Sequence, residues 1–184
     1  MESDWGAIKQ KKTELLEKEV RVFIAKLEKI RSNRINLEMI RGLPVNYQGE
    51  KKPIKTIANL RVSANHELII HAFEPKLLPF IIKTVVDNQL GYKQERTTED
   101  EVYFTLLPMT REIKERLIRN VKVIGEEGKT TLRLIRQKLR DLVKKNKDFS
   151  QDQKRNYESQ IDQLVESYQD KLSAAEAKKT TELS

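Results

Sequence analysis

The chain contains no cysteine and few aromatic residues, glycines, prolines or histidines. Without cysteine it has no disulfide, no thiolate chemistry and no cysteine-based zinc site, which fits a reducing compartment. No apolar run in the sequence approaches the roughly 18 residues that a membrane-spanning helix needs. The acidic start, Met1–Asp4, is unlike a signal or transit peptide. We therefore expect no membrane segment and a cytoplasmic location.

Charge is what the chain has in excess. Its 184 residues carry a net charge of +8 at pH 7, and 35% of them are charged. Segment 110–147 holds thirteen basic and five acidic residues, so an excess of eight lies there and the remainder nearly balances. A concentrated positive surface is typical of proteins that bind a polyanion, most often nucleic acid.

The same segment has the pattern of a long helix. It contains no proline and repeats apolar residues at spacings of three and four. The apolar side consists of Ile113, Leu117, Val121, Ile124, Leu132, Ile135, Leu139 and Leu142. At about 100° per residue, nine basic residues are expected on the opposite side, interrupted only by Glu115 and Glu126. This basic stripe comprises Arg111, Arg119, Lys122, Lys129, Arg133, Arg136, Arg140, Lys144 and Lys147. The alternative is the solvated outer face of a helix bundle, although such faces usually mix the two signs.

The remaining pattern predicts an α+β protein. A first helix over about Asp4–Arg31, capped by Ser3 or Asp4, and a last helix opening at the capping box Ser150–Gln153 complete a three-helix bundle. Residues 32–107 lose this periodicity and predict short strands and one helix, with a loop at Lys93–Asp100. We therefore expect a discontinuous bundle, 1–31 and 108–184, with a small β/α domain, 32–107, inserted on a hinge.

No residues form a catalytic constellation. His66 and His71 are the only histidines, and neither has a carboxylate at metal-ligand spacing. The acidic run Glu99–Glu101 fits a solvated loop. Gly125–Thr130 is similar to the end of a phosphate-binding loop, but it lies inside a predicted helix and Val123 occupies the position of the first glycine. We predict no enzyme activity, no metal site and no cofactor.

The pattern favours folded RNA over other polyanions. No aromatic residues interleave with the basic stripe, which argues against a stacking platform for single strands. No helix-turn-helix, zinc finger or basic zipper is present, so we expect no DNA partner. The remaining interpretation is that the basic stripe recognises the backbone of double-helical RNA by its shape. Lys29, Arg31 and Arg34 form a second basic cluster at the end of the first helix, where cations also suit the helix dipole.

That second cluster carries a family resemblance. Lys29–Arg34 resembles the KIRTGRA signature of the ribosome recycling factor family, with Asn33 in place of its glycine. Further similarity follows in order over nearly the whole chain, at Val45–Gly49, Pro53–Ile54, Leu90–Gly91, Pro108–Thr110 with Glu112, and Leu132–Arg136. The loop Lys93–Asp100 matches that family poorly.

The resemblance implies an L-shaped, monomeric translation factor. Such a factor binds the post-termination ribosome and, with elongation factor G and GTP hydrolysis, promotes subunit dissociation and recycling. Its bundle contacts large-subunit ribosomal RNA through residues that correspond here to Arg31, Arg34, Arg133 and Arg136, to which the basic stripe adds Lys122, Lys129 and Arg140. The hinge corresponds to Ser32, Asn33, Leu107 and Pro108.

Two alternatives remain open from the residues alone. The chain could be a coiled-coil scaffold that oligomerises through its apolar seams. It could also be a general RNA-binding module, or a protein whose basic helix docks on an acidic partner.

Overall fold

The structure is a computed structural model that describes residues 2–184, with side chains from Trp5 onward. The expected caps Ser3 and Asp4 lie outside the described side chains. The elements in chain order are α1 (Glu2–Glu28), α2 (Leu37–Arg41), β1 (Pro44–Tyr47), β2 (Glu50–Pro53), α3 (Ile54–Ile57), β3 (Ala58–Val62), β4 (Glu67–Ala72), a 3₁₀ turn (Pro75–Leu77), α4 (Leu78–Asp87), β5 (Tyr92–Thr97), β6 (Glu101–Leu106), α5 (Arg111–Lys145) and α6 (Gln151–Leu183).

The chain divides into two compact units. The helical unit comprises the residues up to Glu28, Glu115–Glu182 and Ser184, and the inserted unit comprises Lys29–Lys114 with Leu183. The α+β class, with long helices and a small β-containing part, is confirmed.

In the helical unit, α1, α5 and α6 pack closely around one apolar core. All three helices meet at Gly128 of α5, where an added Cβ would come within 2.5 Å of Leu172 in α6 and 3.2 Å of Phe23 in α1. At one end of the unit, Trp5 of α1 stacks on Tyr157 of α6 with their ring centroids 4.4 Å apart. These contacts bury one face of each amphipathic helix, as helix stability in water requires.

Both long C-terminal helices begin at the residues that the sequence predicts. The Thr110 hydroxyl accepts a hydrogen bond from the amide of Ile113, so it caps α5. Ser150 and Gln153 form a reciprocal capping box at the start of α6. The local signals for these two helix starts are therefore confirmed.

The inserted unit contains the hairpin β1–β2 and a four-stranded antiparallel sheet in the order β3-β4-β6-β5. Alternate residues of the sheet face a core that also takes in α4. That core includes Leu60, Ile70, Val102 and Phe104 from the strands and Leu78, Ile81 and Val85 from α4 or its start. The other face carries mostly polar and charged side chains.

The structure corrects the expectation of a loop at Lys93–Asp100. Residues Tyr92–Thr97 form strand β5, which pairs with β6 through a register shift between Gln94 and Arg96. This strand lies at the edge of the sheet and is exposed along nearly its whole length. Its polar composition, YKQERT, therefore gives no apolar alternation from which a strand could be predicted.

No helix within residues 2–184 combines the length and apolar character needed to cross a bilayer.

Candidate RNA-binding surface on helix α5

Helix α5 buries a different side from the expected one. Leu142 is 47% exposed, whereas its neighbour Val143 is 1% exposed. The buried seam consists of Val121, Gly125, Gly128, Leu132, Ile135, Leu139 and Val143. At about 100° per residue, its centre lies about a quarter-turn from the basic stripe. The expectation that the stripe lies opposite the buried side was therefore wrong, and the stripe instead flanks the seam.

This placement brings part of the basic stripe against the carboxylates of α6. Lys129 Nζ lies 3.7 Å from the Glu176 carboxylate and 3.4 Å from that of Glu126 on its own helix. Arg140 forms an ion pair with Asp162. These two cations are half-buried and partly neutralised within the protein, although such pairs near the surface contribute little to stability.

The rest of the expected set on α5 is unpaired. Among residues 2–184, the side chains of Lys122, Arg133 and Arg136 have neither an ion pair nor a hydrogen bond. Lys122 and Arg133 are exposed and Arg136 is half-buried beside the seam. Lys122 and Arg136 are about 21 Å apart along the helix axis at 1.5 Å per residue. Solvated cations in a row on a rigid helix are suited to neutralising successive phosphates.

Arg31 and Arg34 lie together in the inserted unit but differ in their surroundings. Arg34 is exposed, and its backbone amide donates a hydrogen bond of 3.1 Å to the Ser32 hydroxyl. Arg31 is half-buried and donates a hydrogen bond from its guanidinium to the carbonyl of Leu107. Burial lowers the pKa of Arg31, and the nearby Tyr92 opposes that shift. The packing around Arg31 has no signal in the sequence, since its partners are distant along the chain.

The four expected hinge residues lie in two segments without helix or strand. Ser32 and Asn33 belong to residues 31–36, and Leu107 and Pro108 belong to residues 107–110. Leu107 is held further, because its amide donates a hydrogen bond of 2.8 Å to the carbonyl of Gly91.

The histidines do not build a metal centre. His71 Nε2 lies 3.0 Å from the Asp100 carboxylate, and both side chains are substantially exposed. His66 occupies a turn with φ of +58°. The described part of the chain holds no group of three or more histidine, aspartate or glutamate side chains that could hold a metal ion.

The comparison with protein families shows which family the chain belongs to. A family model described as ribosome recycling factor matches residues 23–183. The chain belongs to the ribosome recycling factor family. The resemblance noted in the sequence is therefore confirmed.

Individual ribosome recycling factors agree with this assignment over almost their full length. The chain is 29% identical over 173 residues to the ribosome-recycling factor of a Synechococcus species, covering 92% of this chain and 94% of the relative. It is 27% identical over 180 residues to that of Legionella pneumophila, covering 96% of each.

Solved structures of ribosome recycling factors share the fold. One is a solution structure, which matches with a TM-score of 0.75 at 21% identity over 95% of this chain and 96% of the other. Another is a Thermus thermophilus factor, in models with Escherichia coli elongation factor G bound to the E. coli post-termination complex. It matches with a TM-score of 0.68 at 24% identity, over 97% of this chain and 98% of the other.

Proposed function

We propose that this chain binds the post-termination ribosome and, with elongation factor G, promotes dissociation of the subunits. Membership of the ribosome recycling factor family supports the reaction. The presence of elongation factor G beside a structural neighbour supports the partner. The chain acts by binding and not by catalysis, since the GTP hydrolysis belongs to the partner, and it works as a monomer in the cytoplasm.

The single observation that carries the RNA-binding role is the unpaired row on α5. Lys122, Arg133 and Arg136 present positive charge that no described side chain neutralises. We place these three against the phosphates of large-subunit ribosomal RNA, where each contact releases counterions. Further positive charge comes from Arg34, Lys129 and Arg140, which add to the electrostatic potential of these three residues. Arg31 has a different environment and is treated separately below.

The division of the chain supports a mechanical role for the inserted domain. We assign the inserted domain to residues 32–107 and the bundle to 1–31 and 108–184; the compact inserted unit of the structure is larger, Lys29–Lys114 with Leu183 of α6, and the chain enters it at Lys29 and leaves it at Lys114. The hinge at Ser32, Asn33, Leu107 and Pro108 lets the inserted domain respond to the GTPase while the bundle stays bound to RNA. Energy from the partner is thereby converted into displacement at the subunit interface.

Salt-dependent binding to purified large subunits tests this proposal. The variant Arg133→Ala with Arg136→Ala should bind more weakly, and the slope of log affinity against log salt should fall by about 1 to 2 units, because two phosphate contacts are lost. The matched control, Arg21→Ala with Lys178→Ala, removes the same charge from exposed positions of α1 and α6, and it should leave the slope nearly unchanged.

Two results would count against the proposal. Unchanged ribosome binding by a folded Arg133→Ala, Arg136→Ala variant would show that α5 does not bind RNA through these residues. A solution mass of several chains would favour the coiled-coil scaffold instead.

A further inference from the structure

Arg31 is seated inside the inserted unit in a way that Arg34 is not. Its guanidinium lies directly against the backbone of Gly91, so closely that an added Cβ there would come within 2.4 to 2.8 Å of three guanidinium atoms. Gly91 also has a φ of +85°, a conformation that side-chain-bearing residues rarely adopt. Glycine is therefore required at this position both for the backbone angle and for the seat of Arg31.

The same guanidinium links two segments that are far apart in sequence. It donates a hydrogen bond to the carbonyl of Leu107, 76 residues away. The amide of Leu107 in turn donates to the carbonyl of Gly91 at 2.8 Å. Arg31, Gly91 and Leu107 thus form a closed set of contacts that joins the segment entering the inserted unit to the segment leaving it.

The contacts of this set hold the arginine, although burial itself opposes them, because Arg31 Nε is buried without a hydrogen-bond partner. The neighbouring Tyr92 is half-buried and its hydroxyl accepts a hydrogen bond of 3.4 Å from the amide of Asn36. An arginine held by a carbonyl and packed against backbone must give up these contacts before it can reach a phosphate. Arg34, whose side chain has no partner in the described residues, gives up nothing.

We propose that Arg31 is a positioning residue that clips the two connecting segments to the base of the inserted unit, and that it is not an RNA contact. The clip holds Leu107 as part of the inserted unit. Bending between the units is then confined to the chain before Arg31 and to residues 108–110. The inference rests on the proposed function for a hinge between the units but moves that hinge, since Ser32, Asn33 and Leu107 then belong to the inserted unit and only Pro108 stays in a bending segment. It does not rest on ribosome binding, so the two fail separately.

Backbone exchange and a distance measurement test the clip in the intact chain. The variants are Arg31→Gln, which removes the charge, and Arg31→Lys, which keeps it but lacks the planar guanidinium. Arg34→Gln is the matched control three residues away. Because the chain has no cysteine, Asn65→Cys and Ser159→Cys place a spin label at one exposed site in each unit.

Both Arg31 variants should speed hydrogen exchange at the Leu107 amide by about tenfold or more, because the bond to Gly91 then opens locally. Both should also broaden the distribution of label distances, which a merely local packing role would leave unchanged. Arg34→Gln should change neither. If Arg31→Gln does not fold, Arg31→Lys carries the test alone, since it retains the net charge.

Measurement of ribosome binding distinguishes the two roles of Arg31, as a clip or as an RNA contact. Arg31→Gln should leave the salt slope of large-subunit binding unchanged. A slope lowered by about 0.7 to 0.9, with exchange and distances as in the parent chain, would overturn the proposal and make Arg31 an RNA ligand. Wild-type exchange and distances in Arg31→Lys would also overturn it, because the charge alone would then suffice.

Discussion

The two units differ in whether their surface arginines are paired with carboxylates. On the polar face of the sheet in the inserted unit, Arg61 lies 3.0 Å from the Glu101 carboxylate and Arg96 lies 3.3 Å from that of Glu67. On α5 of the helical unit, Arg133 and Arg136 have no partner among the described residues. Both surfaces are rich in arginine, so arginine content alone does not mark a surface for RNA. In the proposed function, the absence of an internal partner is the feature that distinguishes the RNA-binding surface.

The geometry of the elements explains the difference. Arg61 and Arg96 lie on the two edge strands, β3 and β5, and their partners Glu101 and Glu67 lie on the inner strands β6 and β4, within reach of a long side chain. A cation on the sheet is therefore easily paired. A helix at the surface of a bundle has a neighbour along each edge of its buried seam only. Lys129 and Arg140 lie beside carboxylates of α6, whereas Lys122, Arg133 and Arg136 have no such carboxylate partner among the described residues.

Charge reversal gives the largest expected effect. It tests directly whether the unpaired arginines of α5 bind RNA and the paired arginines of the sheet do not. Arg133→Glu with Arg136→Glu should weaken binding to large subunits by about 100-fold or more, because two charge-assisted contacts of about 1.5 kcal/mol each are lost and replaced by repulsion. Equilibrium binding at fixed salt measures this. The paired counterpart, Arg61→Glu with Arg96→Glu, should change the affinity much less. Equal losses in the two variants would mean that internal pairing does not distinguish the surfaces.

Overpacking the seam of α5 tests whether the neighbouring helices pack closely against Gly128. That close packing fixes which side of α5 is buried and therefore where the basic stripe lies. Gly128→Val should lower the free energy of unfolding by about 1 to 3 kcal/mol, because the side chain has no room between Leu172 and Phe23. Gly6→Ala in α1 is the control, since nothing lies within 4 Å of an added Cβ there. It should be neutral or stabilise by up to about 1 kcal/mol. Chemical denaturation followed by helical circular dichroism measures both, and an unaffected Gly128→Val variant would refute the packing argument.

Sequence reasoning predicted what depends on local signals. The α+β class, the family, and the starts of α5 and α6 at Thr110 and Ser150 all follow from periodicity, motifs and capping residues. The buried side of α5 did not follow, because Gly125 and Gly128 form part of the seam and carry no hydrophobic signal. Their burial is decided by the neighbouring helices, which no local pattern of α5 encodes.

The same limit applied to the inserted unit and to the candidate site. Strand β5 is polar on both faces because it lies at the sheet edge, so it lacked the alternation of a half-buried strand. The seat of Arg31 depends on Gly91 and Leu107, far along the chain. Arg31 and Arg34 therefore looked equivalent in the sequence, although their side chains have different partners.

Removing the ion pair of Arg140 should have a smaller effect on affinity, and it tests whether a paired cation of α5 can be made to bind RNA. Asp162→Ala removes the carboxylate that pairs with Arg140 and leaves one more free cation beside Arg136. Affinity for large subunits should rise by about two- to fivefold, with a salt slope up to about 0.9 steeper. Glu101→Ala frees Arg61 on the sheet in the same way and should leave affinity unchanged. An unchanged slope in Asp162→Ala would show that Arg140 lies outside the RNA-binding surface.

Acid sensitivity gives the smallest expected effect and tests the pairing on the sheet. The hydrogen bond from the Tyr103 hydroxyl, with Arg61 adding to it, lowers the pKa of Glu101 below its usual 4.5. The unfolded carboxyl then takes up a proton at a higher pH than the folded one. The stability that Glu101 contributes is therefore complete above about pH 4.5 and is lost as the pH falls through its lower folded-state value.

Unfolding of the inserted unit at pH 5 and pH 3 measures this loss. Glu101→Gln should show a smaller decrease in stability between the two pH values than the parent chain, because the titrating group is gone. Glu99→Gln, a change at a neighbouring exposed glutamate, should retain the full decrease. If both variants lose stability as the parent does, the contacts of Glu101 with Tyr103 and Arg61 contribute nothing to the folded state. The ion pairs on the sheet would then contribute no more to stability than the unpaired cations on α5.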